Sequence, residues 1–135
     1  MVMDIHGTQI LVRLSTIHDN PDDASSRLVL SAHITTATEG STLYTAIIPQ
    51  DGTLDRVNIV AVVTGTLDIE FYIVNSDGDK ENKQTVTIKN GANDWIDSYD
   101  VMTGDVISIK AKSLHNPSGG TFALTSLDVS AVLEV

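Results

Sequence analysis

The feature that most constrains this chain is its supply of β-branched side chains, which recur in alternation with polar ones. Isoleucine, valine and threonine number 13, 14 and 15, or 42 of 135 residues. Such side chains are restricted at χ1 and fit a pleated sheet better than a helix. Glutamate, a good helix former, occurs only four times. The chain is therefore predicted to be all-β.

Alternation with a period of two marks the individual strands. In residues 67–74 the apolar set is Leu67, Ile69, Phe71 and Ile73, which is the pattern of a half-buried antiparallel strand. The predicted strands cover residues 9–14, 28–35, 43–48, 54–63, 67–74, 84–89, 95–101, 106–114 and 122–134. About nine short strands separated by turn signals favour an antiparallel β-sandwich, jelly-roll-like rather than immunoglobulin-like.

Two strong strands flank Gly65, which predicts a tight hairpin between residues 54–63 and 67–74. The first of these strands ends with apolar side chains on both faces, because Val60 and Val62 join the inner set. It is therefore predicted to be a central strand, covered on both faces at its end.

The last strand changes parity along its length. Phe122 and Leu124 are even-numbered, whereas the apolar residues from Leu127 onward are odd-numbered. A shift of one residue turns every later side chain to the opposite face of the sheet. A β-bulge near Thr125 and Ser126 is the simplest structure that keeps both sets on the same face.

Residues 1–26 differ in kind from the rest of the chain. A short apolar segment is followed by residues 17–26, which are polar, acidic and contain proline. This composition predicts an N-terminal strand with a polar arm or linker, and residues 27–135 form the jelly-roll β-sandwich. The arm is either a surface loop of its own subunit or a segment that docks on a neighbouring subunit.

Charge and composition exclude several classes of function. The net charge is −10, and only eight lysines and arginines are scattered over the chain, so a nucleic-acid partner is not expected. No cysteine occurs, which excludes a disulfide framework and a thiolate metal site. No apolar run approaches the length of a membrane span, and the first residues lack a secretory signal pattern. No cofactor is predicted.

Three patterns in the sequence match sites of chemistry only in part. The acidic residues 75–81, from Asn75 to Glu81, suggest calcium, but Lys80 stands where an EF-hand needs glycine. A calcium site of another type stays open, beside a solvated hairpin tip. The four histidines lie on separate segments without metal-site spacing. Serine, histidine and aspartate are present, but no nucleophile-elbow pattern occurs. No catalytic and no metal-binding residues are predicted.

One cluster combines an aromatic ring with groups that hydrogen-bond sugars. Its members are Asn93, Asp94, Trp95, Asp97 and Tyr99. An aromatic face stacks on a pyranose ring while carboxylates and amides bind its hydroxyls, so these residues are the candidate ligand-binding site. The other interpretation is that Trp95 packs in the core or at a subunit contact, since tryptophan is highly buried on average.

Two stretches carry a resemblance to a known family. Residues 46–54, followed by Val57 and Ile59, form an apolar strand that ends in proline before Asp-Gly and a second strand. Residues 101–109 form a Gly-Asp-Val-Ile turn that enters a late strand. Together, over about residues 43–135, they resemble small jelly-roll domains of phage head fibres, capsid decoration proteins and tumour-necrosis-factor-like fibre tips. The resemblance implies trimeric assembly and a role in attachment or capsid stabilisation, and it assigns no functional residue.

The sequence is thus interpreted as a non-enzymatic virion structural protein of a phage, displayed at the virion surface as a capsid decoration or fibre module. Homo-oligomerisation, with a trimer favoured, is predicted because several strands show apolar residues on both faces, as at Val60 and Val62 or at Tyr44, Ala46 and Ile48. Capsid or tail proteins are the expected partners, with a surface glycan as a further one. The alternative function is a carbohydrate-binding module that uses Trp95 and Tyr99.

Overall fold

The computed structural model describes residues 2–5, 8–11, 16–18 and 26–135, and it describes side chains over 27–95 and 98–135. All regular secondary structure in these residues is β, as predicted. The strands are β1 (Val2–Ile5), β2 (Thr8–Leu11), β3 (Thr16–His18), β4 (Ser26–Ile34), β5 (Thr42–Ile47), β6 (Gly52–Thr64), β7 (Thr66–Val74), β8 (Lys80–Ile88), β9 (Gly91–Val101), β10 (Val106–His115) and β11 (Ala123–Glu134).

Nine of these strands form two antiparallel sheets that pack face to face. The four-stranded sheet has the order β5-β10-β7-β8, and the five-stranded sheet has the order β3-β4-β11-β6-β9. Strands β1 and β2 pair with each other. The sandwich architecture and its number of strands agree with the sequence prediction, but the predicted strand 9–14 overlaps β2, which belongs to neither large sheet, and β3 takes its place.

The pairing of the strands is nested, which identifies the sandwich as a jelly roll. Strand β4 pairs with β11, β5 with β10, β6 with β9 and β7 with β8. The outermost pair in the sequence thus encloses the next one, as if a long two-stranded ribbon had been rolled up. Eight strands arranged in this way make the double Greek key of jelly rolls.

The predicted hairpin at Gly65 is wrong. Strand β6 belongs to the five-stranded sheet and β7 to the four-stranded sheet, so the chain crosses from one sheet to the other at this glycine. Gly65 has a φ of 89°, a backbone conformation that glycine adopts without steric cost. A short connection with a glycine fits a hairpin and a sheet crossing equally well, and the nested pairing selects the crossing.

Two predicted loop boundaries also change. The segment 17–26 was predicted to be loop, but Ile17 and His18 belong to β3, which pairs with the start of β4. Residues 75–81 were interpreted as a solvated hairpin tip, but Lys80 and Glu81 already belong to β8. There the side-chain amide oxygen of Asn75 accepts hydrogen bonds from the backbone N–H groups of Asp77 and Asp79, and this tight turn lets Lys80 pair with Val74. The remainder of the predicted arm, 19–25, lies outside the described residues.

The parity change in the last strand is resolved as predicted. The register of β11 against β6 shifts between Leu124 and Ser126, which is a β-bulge. Beyond the bulge, Leu127 and Val129 point into the core together with the inner residues of β4 and β6. The bulge therefore keeps both apolar sets on the inner face.

The core lies between the sheets and is filled by their inward-facing side chains. The four residues of β7 that were predicted to point inward are at most 1% exposed, which confirms their orientation: Leu67, Ile69, Phe71 and Ile73. The Tyr44 hydroxyl crosses the core and donates a hydrogen bond of 3.1 Å to the Leu30 carbonyl oxygen. Burial raises the pKa of this phenol, because the charged form would lose its hydration.

The outer faces are less apolar than predicted. Strand β6 is central, as expected, but Val60 and Val62 are 44% and 49% exposed, so the outer face of this strand is not covered within the described residues. Tyr44, Ala46 and Ile48 all point into the core. The apolar alternation of β5 therefore belongs to the inner face, and only Ile47 of that strand is an exposed large apolar residue.

Candidate functional site

The candidate site residues lie along β9, at one edge of the five-stranded sheet. Trp95 occupies an inward position and is only 9% exposed. Its ring meets Phe71 of the opposite sheet edge to face, with centroids 5.8 Å apart and an interplanar angle of 74°. Trp95 thus packs in the core, the second interpretation offered by the sequence, and presents no ring face to a ligand. Its indole N–H is buried without a hydrogen-bond partner among the described residues.

The Asn93 side chain organises the turn between β8 and β9. Its amide nitrogen donates to the carbonyl oxygens of Lys89 and Gly91, at 2.8 and 3.1 Å, and its oxygen accepts from the Lys89 N–H at 2.9 Å. It also reaches the Ile59 carbonyl oxygen at 3.2 Å. These hydrogen bonds to backbone groups occupy the Asn93 amide, so few of its donors and acceptors remain for a ligand.

Asp94 points to the outer face of the five-stranded sheet, where a ladder of polar pairs crosses the strands. The Asn58 amide donates to the Asp94 carboxylate at 2.6 Å. On the same outer face, His33 Nδ1 of β4 lies 2.6 Å from the Asp128 carboxylate of β11, with both side chains more than half exposed. Exposed pairs of this kind add little to stability. The Asp97 side chain lies outside the described ones.

Tyr99 connects the two sheets at their open edge. Its hydroxyl donates a hydrogen bond to the Glu81 carboxylate of β8, and the Asn75 amide donates to the same carboxylate. These hydrogen bonds lower the pKa of Glu81, with the Tyr99 contact the larger cause.

Asn75 and Glu81 are the first and last residues of the acidic segment considered for calcium, and they are hydrogen-bonded to each other. Within the described residues no three acidic or histidine side chains converge on a point suited to a metal ion.

A further polar cluster was not found from the sequence, because its members come from three different strands. On the outer face of the four-stranded sheet, the Asp68 carboxylate accepts hydrogen bonds from Thr87 at 2.7 Å and from Ser113 at 3.2 Å. His115 Nε2 lies 2.9 Å from the same carboxylate. Alternation places each of these residues on an outer face, but only the strand pairing brings them together.

The cluster contains serine, histidine and aspartate, yet it is not arranged as a hydrolytic triad. Ser113 Oγ lies 3.2 Å from His115 Nε2, and that same ring nitrogen faces Asp68. In a triad the histidine uses one ring nitrogen for the serine and the other for the aspartate. Here a single ring nitrogen of His115 faces both groups, so the arrangement lacks the two-nitrogen relay of a triad.

Removing the His115 ring is expected to raise the pKa of Asp68 towards that of an ordinary aspartate. The hydrogen bond from His115 is the largest cause of its lowered pKa, and the bond from Thr87 is the next. A carboxyl group with a lowered pKa stabilises the fold above its unfolded pKa, and this contribution is lost as pH falls through the folded pKa. The His115→Ala variant should therefore lose less stability than the wild type on acidification.

The measurement is an NMR titration of the aspartate carboxyl carbons in the wild type and in His115→Ala. Asp51 is an internal control, because its pKa is lowered by hydrogen bonds from Thr103 instead. It should titrate identically in both proteins. An unchanged Asp68 titration in the variant would contradict the assigned cause.

A shallow cleft lies on the outer face of the five-stranded sheet, lined by Arg27, Asp55, Arg56 and Val132. It holds two of the three arginines of the chain. The carboxylate of Asp55 stands beside them, so the cleft carries both signs of charge.

The described part of the chain contains no helix that is long and apolar enough to cross a membrane.

No family model and no curated protein matches this sequence. Among solved structures the chain is similar to the SPBc2 prophage-derived protein YomS, at 12% identity over 81% of this chain and 95% of that one, with a TM-score of 0.45. It is similar to a chain of infectious bursal disease virus, strain Gx, at 18% identity over 95% of this chain and 41% of that one, with a TM-score of 0.40.

A third similar structure is FeII HppE in complex with substrate, at 13% identity over 90% of this chain and 56% of that one, with a TM-score of 0.34. The chain therefore spans well under two thirds of the viral chain and of HppE.

Proposed function

We propose that this chain is a non-enzymatic structural protein of a phage virion, displayed at the particle surface as a capsid decoration or fibre module for particle stabilisation or host attachment. The observation that carries the proposal is the nested strand pairing of a complete jelly roll. Jelly rolls recur in viral capsid and lectin domains. This support is an analogy of fold, joined to the sequence resemblance over about residues 43–135.

The filled interior of the sandwich supports a surface role. Tyr44, Phe71 and Trp95 occupy the space between the sheets. Ligand sites are usually concave and partly apolar, whereas here the large apolar side chains pack against one another. Contacts with other molecules therefore fall to the outer faces, the strand edges and the loops.

The carbohydrate-binding alternative loses its aromatic stacking surface at Trp95, which is buried. Asn93, Asp94 and Tyr99 keep the hydrogen-bonding groups that a sugar needs, but each is engaged with a neighbour in the same chain. Glycan binding at these residues stays a prediction, and it serves as the competing outcome of the test below.

The test is whether the chain occurs on phage particles and binds them. Particles produced by cells that encode the chain should show it on the capsid or tail by cryo-electron microscopy with a specific antibody fragment. Purified chain should also rebind to particles that lack it. Absence from the particles together with failure to rebind would overturn the proposal.

Two variants sharpen this experiment. A chain that lacks residues 1–26 tests the N-terminal arm, since equal binding by the full and shortened chains excludes docking through it. The Asp94→Ala variant, with Asp128→Ala as its control on the same outer face, tests the glycan alternative on immobilised sugars. Glycan binding that is lost only in Asp94→Ala, without particle binding, would establish the carbohydrate-binding function instead.

A further inference from the structure

Three of the four edge strands of the two large sheets carry features that prevent pairing, and within the described residues the fourth carries none. Strand β3 has only three residues, β8 carries Lys80, Glu81 and Lys83, and β9 carries three aspartates. Short length and charged side chains are the usual means of preventing edge-to-edge association. Strand β5 contains neither a charged residue nor a proline. In the described part of the chain it pairs only with β10.

The free edge of β5 offers backbone groups in a defined pattern. Just beyond the strand, the Ile48 N–H donates to the Asp105 carbonyl oxygen at 2.7 Å, so the backbone of Ile48 faces the β10 side. Backbone groups alternate in direction along an antiparallel strand. Those of Thr45 and Ile47 therefore point away from β10, towards the free edge. The Ile47 side chain beside them is 69% exposed.

We propose that the free edge of β5 is a dimerisation site, at which a second copy of this chain pairs antiparallel across a two-fold axis. In the pairing that uses the outward backbone groups, Thr45 of each copy lies opposite Ile47 of the other. Each such pair exchanges both of its hydrogen bonds, as hydrogen-bonded pairs of an antiparallel ladder do. The two four-stranded sheets then form one continuous sheet, and both Ile47 side chains are covered.

Charge explains why the occupant is a second copy in antiparallel orientation. Two chains of net charge −10 repel each other over most of their surfaces, and the uncharged strand is a place where they approach with little repulsion. The Thr42 end of the edge holds both lysines of β10, Lys110 and Lys112, beside Glu39 and Glu70, whereas Asp51 and Asp105 lie at the Ile47 end. Antiparallel pairing places the two lysines of one copy beside the acidic end of the partner. The inference concerns β5 alone and does not depend on the proposed virion role.

The first test measures self-association by sedimentation equilibrium over a series of concentrations. The wild type should form a monomer–dimer equilibrium. Ile47→Lys should raise the dissociation constant about tenfold or more, because it removes the covered apolar side chain and places like charges across the axis. Val60→Lys is the matched control, since Val60 is 44% exposed on a strand that is not at an edge, and this variant should dimerise normally.

The second test reads the register directly, and the absence of cysteine from the chain makes it free of background. Thr45→Cys and Ile47→Cys chains, mixed under mild oxidation, should form a disulfide-linked heterodimer, because paired Cα atoms lie about 5.5 Å apart. Each variant alone should cross-link poorly, since like positions are diagonal neighbours about 7–8 Å apart.

Four outcomes would overturn the inference: a monomer at all concentrations, a trimer, a dimer that survives Ile47→Lys, or equal cross-linking of the single cysteine variants. Particle binding enters neither test, so failure here leaves the proposed function standing.

Discussion

Replacing Phe71 with alanine should lower the free energy of unfolding by about 3–5 kcal/mol, the usual cost of deleting a buried aromatic ring. Phe71 is fully buried on the inner face of β7, and its ring contacts Trp95 of the opposite sheet. The substitution removes apolar surface and leaves a cavity where the two sheets meet. Since domains of this kind are stable by about 5–15 kcal/mol, a single substitution would remove a large part of the total.

Trp95 is the only tryptophan of the chain and contacts the substituted ring, so its fluorescence reports the transition. Denaturant unfolding should show a lower midpoint with an unchanged slope. Met102→Ala is the control, because Met102 is 66% exposed and its loss should change stability by no more than about 0.5 kcal/mol. Equal midpoints for the two variants would mean that Phe71 does not belong to the core.

The faces of the strands could be predicted from the sequence because alternation is a local property. The buried set of β7 and the bulge between Leu124 and Ser126 were both predicted in this way. The pairing of strands could not be predicted, since it depends on which distant segments meet. Gly65 illustrates the difference, because a two-strand pattern around a glycine predicts a hairpin whereas the closed jelly roll requires a crossing. Strand β5 is an exception among the faces, because Leu43 and Tyr44 are both buried where its register against β10 shifts, so alternation alone does not identify its inner face.

The sequence shows that the candidate site residues are close together in the chain, but it does not show which way their side chains point. The sequence placed Trp95 among hydrogen-bonding side chains, and the structure separates them by the alternation of β9. Trp95 points inward, and Asp94 points outward to Asn58. The link from Tyr99 to Glu81 joins two strands from different sheets, and no spacing in the sequence indicates it. The same holds for Asp68 and His115, which are brought together by the pairing of β7 with β10.

Gly65→Ala should be among the most damaging single substitutions, for two reasons that add. The φ of 89° at this position costs a non-glycine residue about 1–3 kcal/mol. A Cβ atom built on Gly65 would also lie 2.3 Å from the carbonyl oxygen of His115, and within 3.3 Å of atoms of Pro117 and Phe122. The closest atom is backbone, so it cannot rotate away, and the end of β10 would have to shift. The expected loss of stability is about 3 kcal/mol or more, at or beyond the upper end of the conformational cost alone.

Gly78→Ala separates the two contributions. Gly78 has nearly the same φ, 84°, but a Cβ atom there would meet nothing within 4 Å. This variant should lose only the conformational part, about 1–3 kcal/mol. Denaturant unfolding of both variants therefore measures the clash at the sheet crossing as the difference between them. A Gly65→Ala chain that fails to fold while Gly78→Ala folds would agree with the prediction. Equal losses of stability in the two variants would contradict the prediction. They would show that the connection between β6 and β7 has room for a side chain.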